Sequence, residues 1–375
     1  MDRVLVIDHR VATPDRDAGS LRMVNLIRVL TDLGQEVTYL PQTISDRAER
    51  QQLSTICDSL SLQVPQERSV RRHLKRHRST YRAAILCRVG PTEAFLPQVR
   101  RFCPRAWTLF DTVDLHHLRE MRQAEIDKDS NLRAAALEVR QRELDLLDAA
   151  DETLVVSTFE EELLREHDPE AKIRVVPPIH EIRPSSPSLE KRQGLLFVAG
   201  FEHQPNVDAA LWLVEDIMPW VWEKLPGVGL TLVGSHPPAV IRALQSDKVT
   251  ITGYVPRVDP YLDTSRLSLA PLRYGAGVKG KVTESMASGL PVVATPIACE
   301  GMPIEDERDI LVAEEAGEFA AAVVRACSDE ELWHRLAANS RETATRHFSF
   351  DSARQIIETL LSDISNVVDG GSAGS

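Results

Sequence analysis

The chain has 375 residues and a mass of 41.8 kDa, with 43% hydrophobic, 27% charged and 5% aromatic residues and a net charge of −12. This composition excludes a disordered or collagen-like chain, and the length predicts two domains. The negative charge argues against nucleic acid as a partner, and no apolar run approaches the ~20 residues of a membrane-spanning helix. The five scattered cysteines include no Cys-x-x-Cys pair, which favours reduced thiols over disulfides or a zinc site.

Strand-like and helix-like segments alternate along the chain. Short apolar segments predict strands over 4–8, 37–40, 84–87, 108–111, 153–156, 173–176, 195–198, 230–233, 249–252, 267–270, 291–294 and 310–312. Helical spacing of apolar residues is visible between many of them, for example over 21–30, and a long charged helical stretch lies between Arg119 and Ala150. Continuously apolar strands are typical of parallel sheets covered on both faces, so we predict an α/β fold with two doubly wound domains.

Prolines mark the boundary between the two predicted domains. They are Pro177, Pro178, Pro184 and Pro187, and they interrupt any regular element. The predicted segments are a first domain over 1–180, a linker over 181–193, a second domain over 194–347, a last helix over 348–366 and a flexible tail over 367–375. The first residues lack the apolar core and cleavage site of a secretory signal, so we expect a cytoplasmic protein.

A glycine-rich loop, a helix start and two lysines coincide after the tenth predicted strand. Gly277 and Gly280 let the backbone approach a ligand closely, and a helix N-terminus favours an anion such as a diphosphate. Lys279 and Lys281 add positive charge. Glu284 follows one turn into the helix, where its carboxylate could accept hydrogen bonds from the vicinal diol of a ribose. The segment therefore predicts a site for a nucleoside diphosphate.

This segment resembles the nucleotide-sugar-binding signature of the family 4 retaining glycosyltransferases, which have the GT-B fold. The likeness extends, in the same order and spacing, to the segments 195–200, 230–235 and 250–255. The resemblance implies two Rossmann-like domains facing a cleft, with a C-terminal helix that crosses back to the first domain. It also implies transfer of a sugar from a nucleotide-diphosphate sugar to a glycan or lipid-linked glycan, with retention and without a metal or cofactor. Similar loops are typical of bacterial enzymes that make surface polysaccharides.

The resemblance also assigns roles to single residues. Glu284 matches the ribose-binding carboxylate, and Lys281 and Lys279 are the groups expected to stabilise the departing diphosphate. The other donor-binding candidates are Gly277, Gly280, Tyr254, Gly253, Gly200, His203, Asn206 and Gly19. In the first domain, His116 and Asp114 are the catalytic candidates, because they follow a predicted strand and should lie at the carboxyl edge of the sheet.

The sequence departs from the family pattern at two places. Ala276 stands where the family usually has the first glutamate of a Glu-x7-Glu motif, and the loop 200–207 lacks the usual Arg and Lys. We therefore predict that the two lysines of the glycine-rich loop take over the diphosphate, with help from His203 and Asn206.

Two other functions remain open from the sequence. A sugar-nucleotide epimerase shares the two-domain architecture, and a non-catalytic GT-B module would account for Ala276. The basic stretch 68–82, with seven Lys or Arg and no acid, is also open to two interpretations. It forms either a solvated charged helix or a contact with anionic lipid head groups at the inner face of a membrane.

Overall fold

The structure is a computed structural model that describes residues 3–44, 46–62, 69–184 and 187–370. Within these residues the chain forms two compact units. The first comprises Met1–Pro14, Gly19–Ile179 and Phe350–Ser375, and the second comprises Asp15–Ala18 and His180–Ser349. None of the described helices is both long and apolar enough to cross a membrane.

The first unit is built on one parallel sheet. Its strands are β1 (Arg3–Asp8), β2 (Glu36–Pro41), β3 (Ala83–Cys87), β4 (Trp107–Asp111), β5 (Glu152–Val155) and β6 (Ile173–Val175). Its helices before the second unit are α1 (Ala18–Asp32), α2 (Arg47–Ser59), α3 (Val70–Arg76), α4 (Val89–Phe102), α5 (His116–Asp127), α6 (Ser130–Ala149) and α7 (Thr158–Arg165). The strands pair in the order β2-β1-β3-β4-β5-β6. Alternate residues of β1 enter two different cores, one on each face of the sheet.

The second unit repeats this construction with a different strand order. Its strands are β7 (Leu195–Val198), β8 (Leu230–Val233), β9 (Val249–Gly253), β10 (Leu267–Ala270), β11 (Val292–Ala294) and β12 (Leu311–Val312). Its helices are α8 (Gln204–Trp212), α9 (Met218–Lys224), α10 (Ala239–Arg242), α11 (Asp259–Thr264), α12 (Gly280–Ala287), α13 (Pro296–Cys299), α14 (Ala316–Ser328) and α15 (Glu330–Phe348). The parallel order is β12-β11-β10-β7-β8-β9. The predicted α/β fold with two doubly wound sheets is confirmed.

The last helix, α16 (Phe350–Gly370), returns to the first unit, as predicted. It contributes these residues to a core of the first sheet: Ala353, Ile357, Leu360 and Ile364. The helix begins two residues later than predicted, because Phe348 ends α15 and is buried in the core of the second unit. It continues through residues 367–370, where a flexible tail was expected, and residues 371–375 lie outside the described residues.

Two further segments have features that the sequence did not predict. In the predicted linker 181–193, Arg192 is buried and donates hydrogen bonds to the carbonyl oxygens of Leu262 and Ser265 at 2.7 and 2.8 Å, which attaches this residue to the second unit. The long helical stretch from Arg119 divides into α5 and α6. Lys128 is left-handed there (φ 53°), and the carboxylate of the next residue caps α6.

A buried ion pair joins two elements of the first unit. Asp111 ends β4, and its carboxylate accepts hydrogen bonds from the Arg22 guanidinium at 2.8 and 3.1 Å. Arg22 lies on α1 and also donates to the carbonyl oxygen of Val176 at 3.0 Å. The side chain of Asp111 is fully buried in this pair.

We predict that Arg22→Ala lowers the free energy of unfolding by about 3–5 kcal/mol, because it leaves the Asp111 carboxylate buried without its charged partner. Urea unfolding measures this loss. The control is Arg3→Ala, which removes an exposed pair with Glu36 and should cost less than about 1 kcal/mol. Equal losses in the two variants would contradict a structural role for the buried pair.

Candidate functional site

The strand order of the second unit places a topological switch point between β7 and β10. From β7 the chain proceeds outward through β8 and β9, whereas from β10 it proceeds through β11 and β12 on the other side. Ligands of open α/β sheets bind outside the carboxyl ends of the strands at such a point. The Gly200 turn follows β7 and the glycine-rich loop follows β10, so the sheet brings these two predicted segments to one place.

Close backbone packing shapes this edge of the sheet. A side chain at Gly234, just after β8, would place its Cβ 1.5 Å from the carbonyl oxygen of Ala199, so only glycine fits. Gly277 adopts a left-handed conformation (φ 68°), which lets the loop reverse before α12 begins at Gly280. Glycine is therefore required by the close contact at Gly234 and favoured by the backbone conformation at Gly277.

Lys281 is held by a hydrogen-bonded relay across the switch point. Its Nζ donates to Asn206 Oδ1 at 2.6 Å, and Asn206 Nδ2 donates to the carbonyl oxygen of Gly200 at 2.8 Å. The ammonium also lies 4.5 Å from the centroid of the Phe197 ring. Burial, with a smaller contribution from Lys279, lowers the pKa of Lys281 to about 7. These hydrogen bonds join the Gly200 turn after β7 to the first turn of α12.

Lys279 and Lys281 have different surroundings. Lys279 is the residue before α12, and its Nζ donates to the carbonyl oxygens of Gly277 and Ala276 at 2.5 and 3.1 Å. This ammonium therefore folds back on its own loop, whereas that of Lys281 binds Asn206. Lys279 instead supports the loop that Ala276 and Gly277 form.

Glu284 lies on α12, one turn after Lys281, with its side chain half-buried. Burial raises the pKa of this carboxyl to about 7, Asp259 raises it further, and Arg183 opposes the shift. Among the residues that the structure describes, none donates a hydrogen bond to this carboxylate. Its oxygens are therefore available to hydroxyl donors of a ligand.

His180 forms a hydrogen bond with α12. Its Nε2 lies 2.8 Å from the Thr283 hydroxyl, and burial lowers the pKa of the imidazole to about 4. The ring is therefore neutral at physiological pH and binds α12 by a hydrogen bond without adding charge to the site.

The remaining donor candidates occupy separate positions around this edge. Gly253 ends β9, and the following Tyr254 donates its hydroxyl to Asp15 at 2.6 Å within the same unit. His203 directly precedes α8, and its side chain makes no capping hydrogen bond there. Gly19 lies in the first turn of α1, in the first unit, whereas the sequence placed it in a loop.

The first unit has its own switch point, between β1 and β3. Asp8 ends β1 with a buried carboxylate, and His9 Nδ1 lies 3.0 Å from it. Arg88 follows β3, and its Nε donates to Asp8 at 3.2 Å and approaches His9 Nδ1 at 3.0 Å. Although burial opposes the shift, the hydrogen bond from His9 and the charge of Arg88 lower the pKa of Asp8. A polar cluster thus occupies the position where a ligand of this sheet is expected.

The backbone of Arg88 is strained. Its dihedral angles, φ 69° and ψ 161°, fall in a region that is essentially restricted to glycine. Its N–H donates to the carbonyl oxygen of Asp111 at 2.8 Å, which holds it there. Sequence reasoning did not single out Arg88, although it directly follows a predicted strand. Such strain concentrates at functional sites.

Asp114 and His116 lie together after β4, as predicted. His116 Nε2 is 3.1 Å from the Asp114 carboxylate, which also pairs with Arg119. Burial alone would raise the pKa of Asp114, but Arg119, the hydrogen bond from His116 and the charge of Arg88 hold it well below its usual range. Asp114 is therefore a permanent anion that orients the His116 ring.

A buried carboxylate from another helix fixes this segment, and the sequence analysis missed it. Glu143 on α6 accepts hydrogen bonds from the backbone N–H groups of His116 and His117, at 2.8 and 3.4 Å, and contacts the His117 ring. It replaces the side-chain cap that α5 lacks. Within the described residues, no group of three or more His, Cys, Asp or Glu could hold a metal ion.

Residues 192–329 match the family model for glycosyl transferases group 1. No curated protein matches the chain by sequence. Among solved structures, the chain is similar to sucrose-phosphate synthase from Thermosynechococcus elongatus, with a TM-score of 0.72, 16% identity and 98% and 100% of the two chains covered. It is similar to HepE from Anabaena in complex with UDP and glucose, at a TM-score of 0.68, 15% identity and coverage of 97% and 100%. A glycosyltransferase from Rickettsia africae gives a TM-score of 0.70, 14% identity and coverage of 97% and 98%.

The structural matches extend over both units, whereas the family model covers most of the second unit alone. At these identities the solved structures establish the fold. The chain therefore has the GT-B fold of these glycosyltransferases, and its second unit contains the region that matches the group 1 model.

Proposed function

We propose that the chain is a retaining, family 4-type glycosyltransferase that transfers a hexose-like sugar from a nucleotide-diphosphate sugar to a glycan or lipid-linked glycan acceptor. The observation that carries this proposal is the pair at the switch point of the second unit: the Lys281 ammonium bound to Asn206, and the Glu284 carboxylate, which accepts no hydrogen bond from the described residues. A cation for phosphate and an anion for a ribose diol, one helical turn apart, match the two polar ends of a nucleoside diphosphate.

In the proposed reaction, the bond between the sugar and the diphosphate breaks, and negative charge accumulates on the departing phosphate. Lys281 supplies a positive charge at the start of α12, where backbone N–H groups also favour an anion. Because Asn206 holds the ammonium in advance, little reorganisation is needed as this charge develops. The chain's own groups thus provide the stabilisation that a family 4-type reaction needs.

We assign the acceptor to the first unit. His116, oriented by Asp114, and the cluster of Asp8, His9 and Arg88 present hydrogen-bonding groups suited to sugar hydroxyls. These groups follow strands β1, β3 and β4, at the edge where ligands of such sheets bind.

Thermal unfolding in the presence of a panel of nucleotide sugars, including UDP-sugars, tests the proposal. A donor at about 100 times its Kd should add about 2.7 kcal/mol to the free energy of unfolding. Product analysis of that donor, with and without acceptor glycans, then separates the candidate reactions. Transfer supports the proposal; an isomerised sugar nucleotide without acceptor identifies an epimerase, and binding without turnover identifies a non-catalytic module. Either of the last two outcomes would overturn it.

We predict a bell-shaped pH dependence of kcat/KM with a maximum near pH 7. Glu284 must be ionised to accept the diol, and its raised pKa of about 7 makes activity fall at lower pH. Lys281 must be protonated, and its lowered pKa of about 7 makes activity fall at higher pH. Glu284→Gln should flatten the acidic limb and Lys281→Arg the alkaline limb. A profile that neither variant changes would exclude both assignments.

We expect Lys281→Ala to lower kcat about 100-fold or more, the usual effect of removing one group that stabilises a developing anion. Lys279→Ala should lower kcat less than Lys281→Ala does, because the Lys279 ammonium is bound to its own loop. Donor turnover, followed by release of nucleoside diphosphate, measures both effects. Lys224→Ala, which removes an exposed cation of α9, is the control and should leave turnover unchanged. Turnover within about twofold of wild type for Lys281→Ala would remove this residue from the mechanism.

A comparison of two substitutions at Arg88 tests the strained position in the first unit. Both Arg88→Gly and Arg88→Ala remove the guanidinium, but only glycine relieves the backbone strain. Arg88→Gly should therefore be more stable than Arg88→Ala by about 1 kcal/mol, as measured by urea unfolding. Both variants should lose transfer activity while they retain donor affinity. Full activity in Arg88→Gly would show that the side chain has no role in acceptor binding.

A further inference from the structure

Two residues with a strained backbone lie beside the end of β4 in the first unit. Arg88 is one of them, and the second is Val113, which follows β4 by two residues and has a φ of 65°. A positive φ is a genuine outlier for a β-branched residue, and such conformations persist only where the surrounding contacts enforce them. The contacts of these two residues therefore identify what holds this edge of the sheet.

The two strained residues share one anchor, Asp111. Its carbonyl oxygen accepts the hydrogen bond from the Arg88 N–H, and its carboxylate accepts one from the N–H of Val113 at 3.2 Å. The carboxylate is itself fixed, because the Arg22 guanidinium binds both of its oxygens and the side chain is fully buried. One residue therefore sets the backbone at Arg88, after β3, and at the turn that follows β4.

Two further buried carboxylates hold the segment after this turn. The N–H of Leu115 donates to Glu160 Oε1 at 3.2 Å, and the other oxygen of Glu160 accepts from the backbone after β5 at 3.2 Å. Glu143 accepts from the two N–H groups that follow that of Leu115. We call Asp111, Glu143 and Glu160 the carboxylate cradle. Its members come from β4, α6 and α7, and together they accept four of the five backbone N–H groups of residues 113–117.

The choice of charged groups for this task is informative. Burial of a carboxylate costs free energy, and hydrophobic side chains of similar volume often stabilise a fold equally well. A carboxylate, however, binds backbone N–H groups more strongly than a neutral acceptor does. The segment held in this way carries Asp114 and His116, whose side chains we assigned to the acceptor, and the charge of Arg88 acts on the Asp114 carboxylate. The cradle therefore favours accurate placement of these side chains over stability alone.

We propose that Glu143 is a positioning residue for sugar transfer. Through the N–H of His116 it sets where the His116 ring lies relative to the acceptor hydroxyl, and Asp111 has the matching role for Arg88. Both carboxylates are fully buried, so they act through the backbone and not on the substrate. This inference rests on the proposed function, because it requires an acceptor at His116. Glu143 is the better residue to test, because loss of Asp111 would leave Arg22 buried without its partner.

Replacement of Glu143 in the full chain tests this role with two readouts. Glu143→Ala should lower kcat about 100-fold, the effect of a misplacement of about 1 Å, and should leave the KM for the donor unchanged, because the donor is assigned to the second unit. Glu143→Gln should recover part of the rate, because its amide oxygen still accepts from the His116 N–H. Isotope-labelled histidine gives NMR ring signals. That of His116, assigned by its absence in His116→Asn, should shift or split in Glu143→Ala.

The matched control is Glu138→Ala, which removes an exposed carboxylate of the same helix and should leave both readouts unchanged. A purely structural carboxylate would lower only the stability. An unshifted His116 signal in both Glu143 variants, or a kcat per folded molecule equal to that of wild type, would therefore overturn the proposal. If Glu143→Ala does not fold, Glu143→Gln decides by the same two readouts. If the wild-type chain transfers no sugar, the proposed function fails, and the His116 signal alone then decides whether Glu143 positions the ring.

Discussion

The parallel pairing of both sheets is the constraint on which the candidate sites depend. When all strands of a sheet point the same way, every loop that leaves a carboxyl end emerges at one edge, and the strand order decides which loops become neighbours. In the second unit the order makes β7 and β10 adjacent, so Asn206 and Lys281, 75 residues apart, share a hydrogen bond. In the first unit the adjacency of β1 and β3 brings Arg88 to Asp8 in the same way.

Local patterns predicted the strands and the glycine-rich loop, because buried parallel strands are continuously apolar and turns need particular residues. The position of Glu284 could be predicted, since it depends on one helical turn after a recognisable loop. The role of Glu143 could not be predicted. Its contact with the His116 backbone joins α6 to α5, whereas in the sequence Glu143 is one of many charged residues on a helix. The strain at Arg88 was equally hidden, because it arises from β3, β4 and α4 together.

The sequence departs from the pattern of family 4 glycosyltransferases in the segment after β7, and the contacts at the switch point of the second unit show which charged group lies near that segment. The turn after β7 contains no Arg or Lys, yet Asn206, in the first turn of α8, accepts a hydrogen bond from the Lys281 ammonium of α12. An amide at this position accepts from the ammonium with one end and donates to the Gly200 carbonyl with the other, so its orientation is fixed. Lys279 donates to two carbonyl oxygens of its own loop, so the two lysines have different partners although they are only two residues apart.

The same burial acts in opposite directions on the two ionisable groups of this site. It lowers the pKa of Lys281 and raises that of Glu284, so near pH 7 each group lies close to the middle of its titration. A bound diphosphate would favour the ammonium, and ribose hydroxyls that donate to the carboxylate would favour the anion. In the proposed function, donor binding would therefore draw a proton onto Lys281 and release one from Glu284. The ligand itself would then complete the charge arrangement of these two groups.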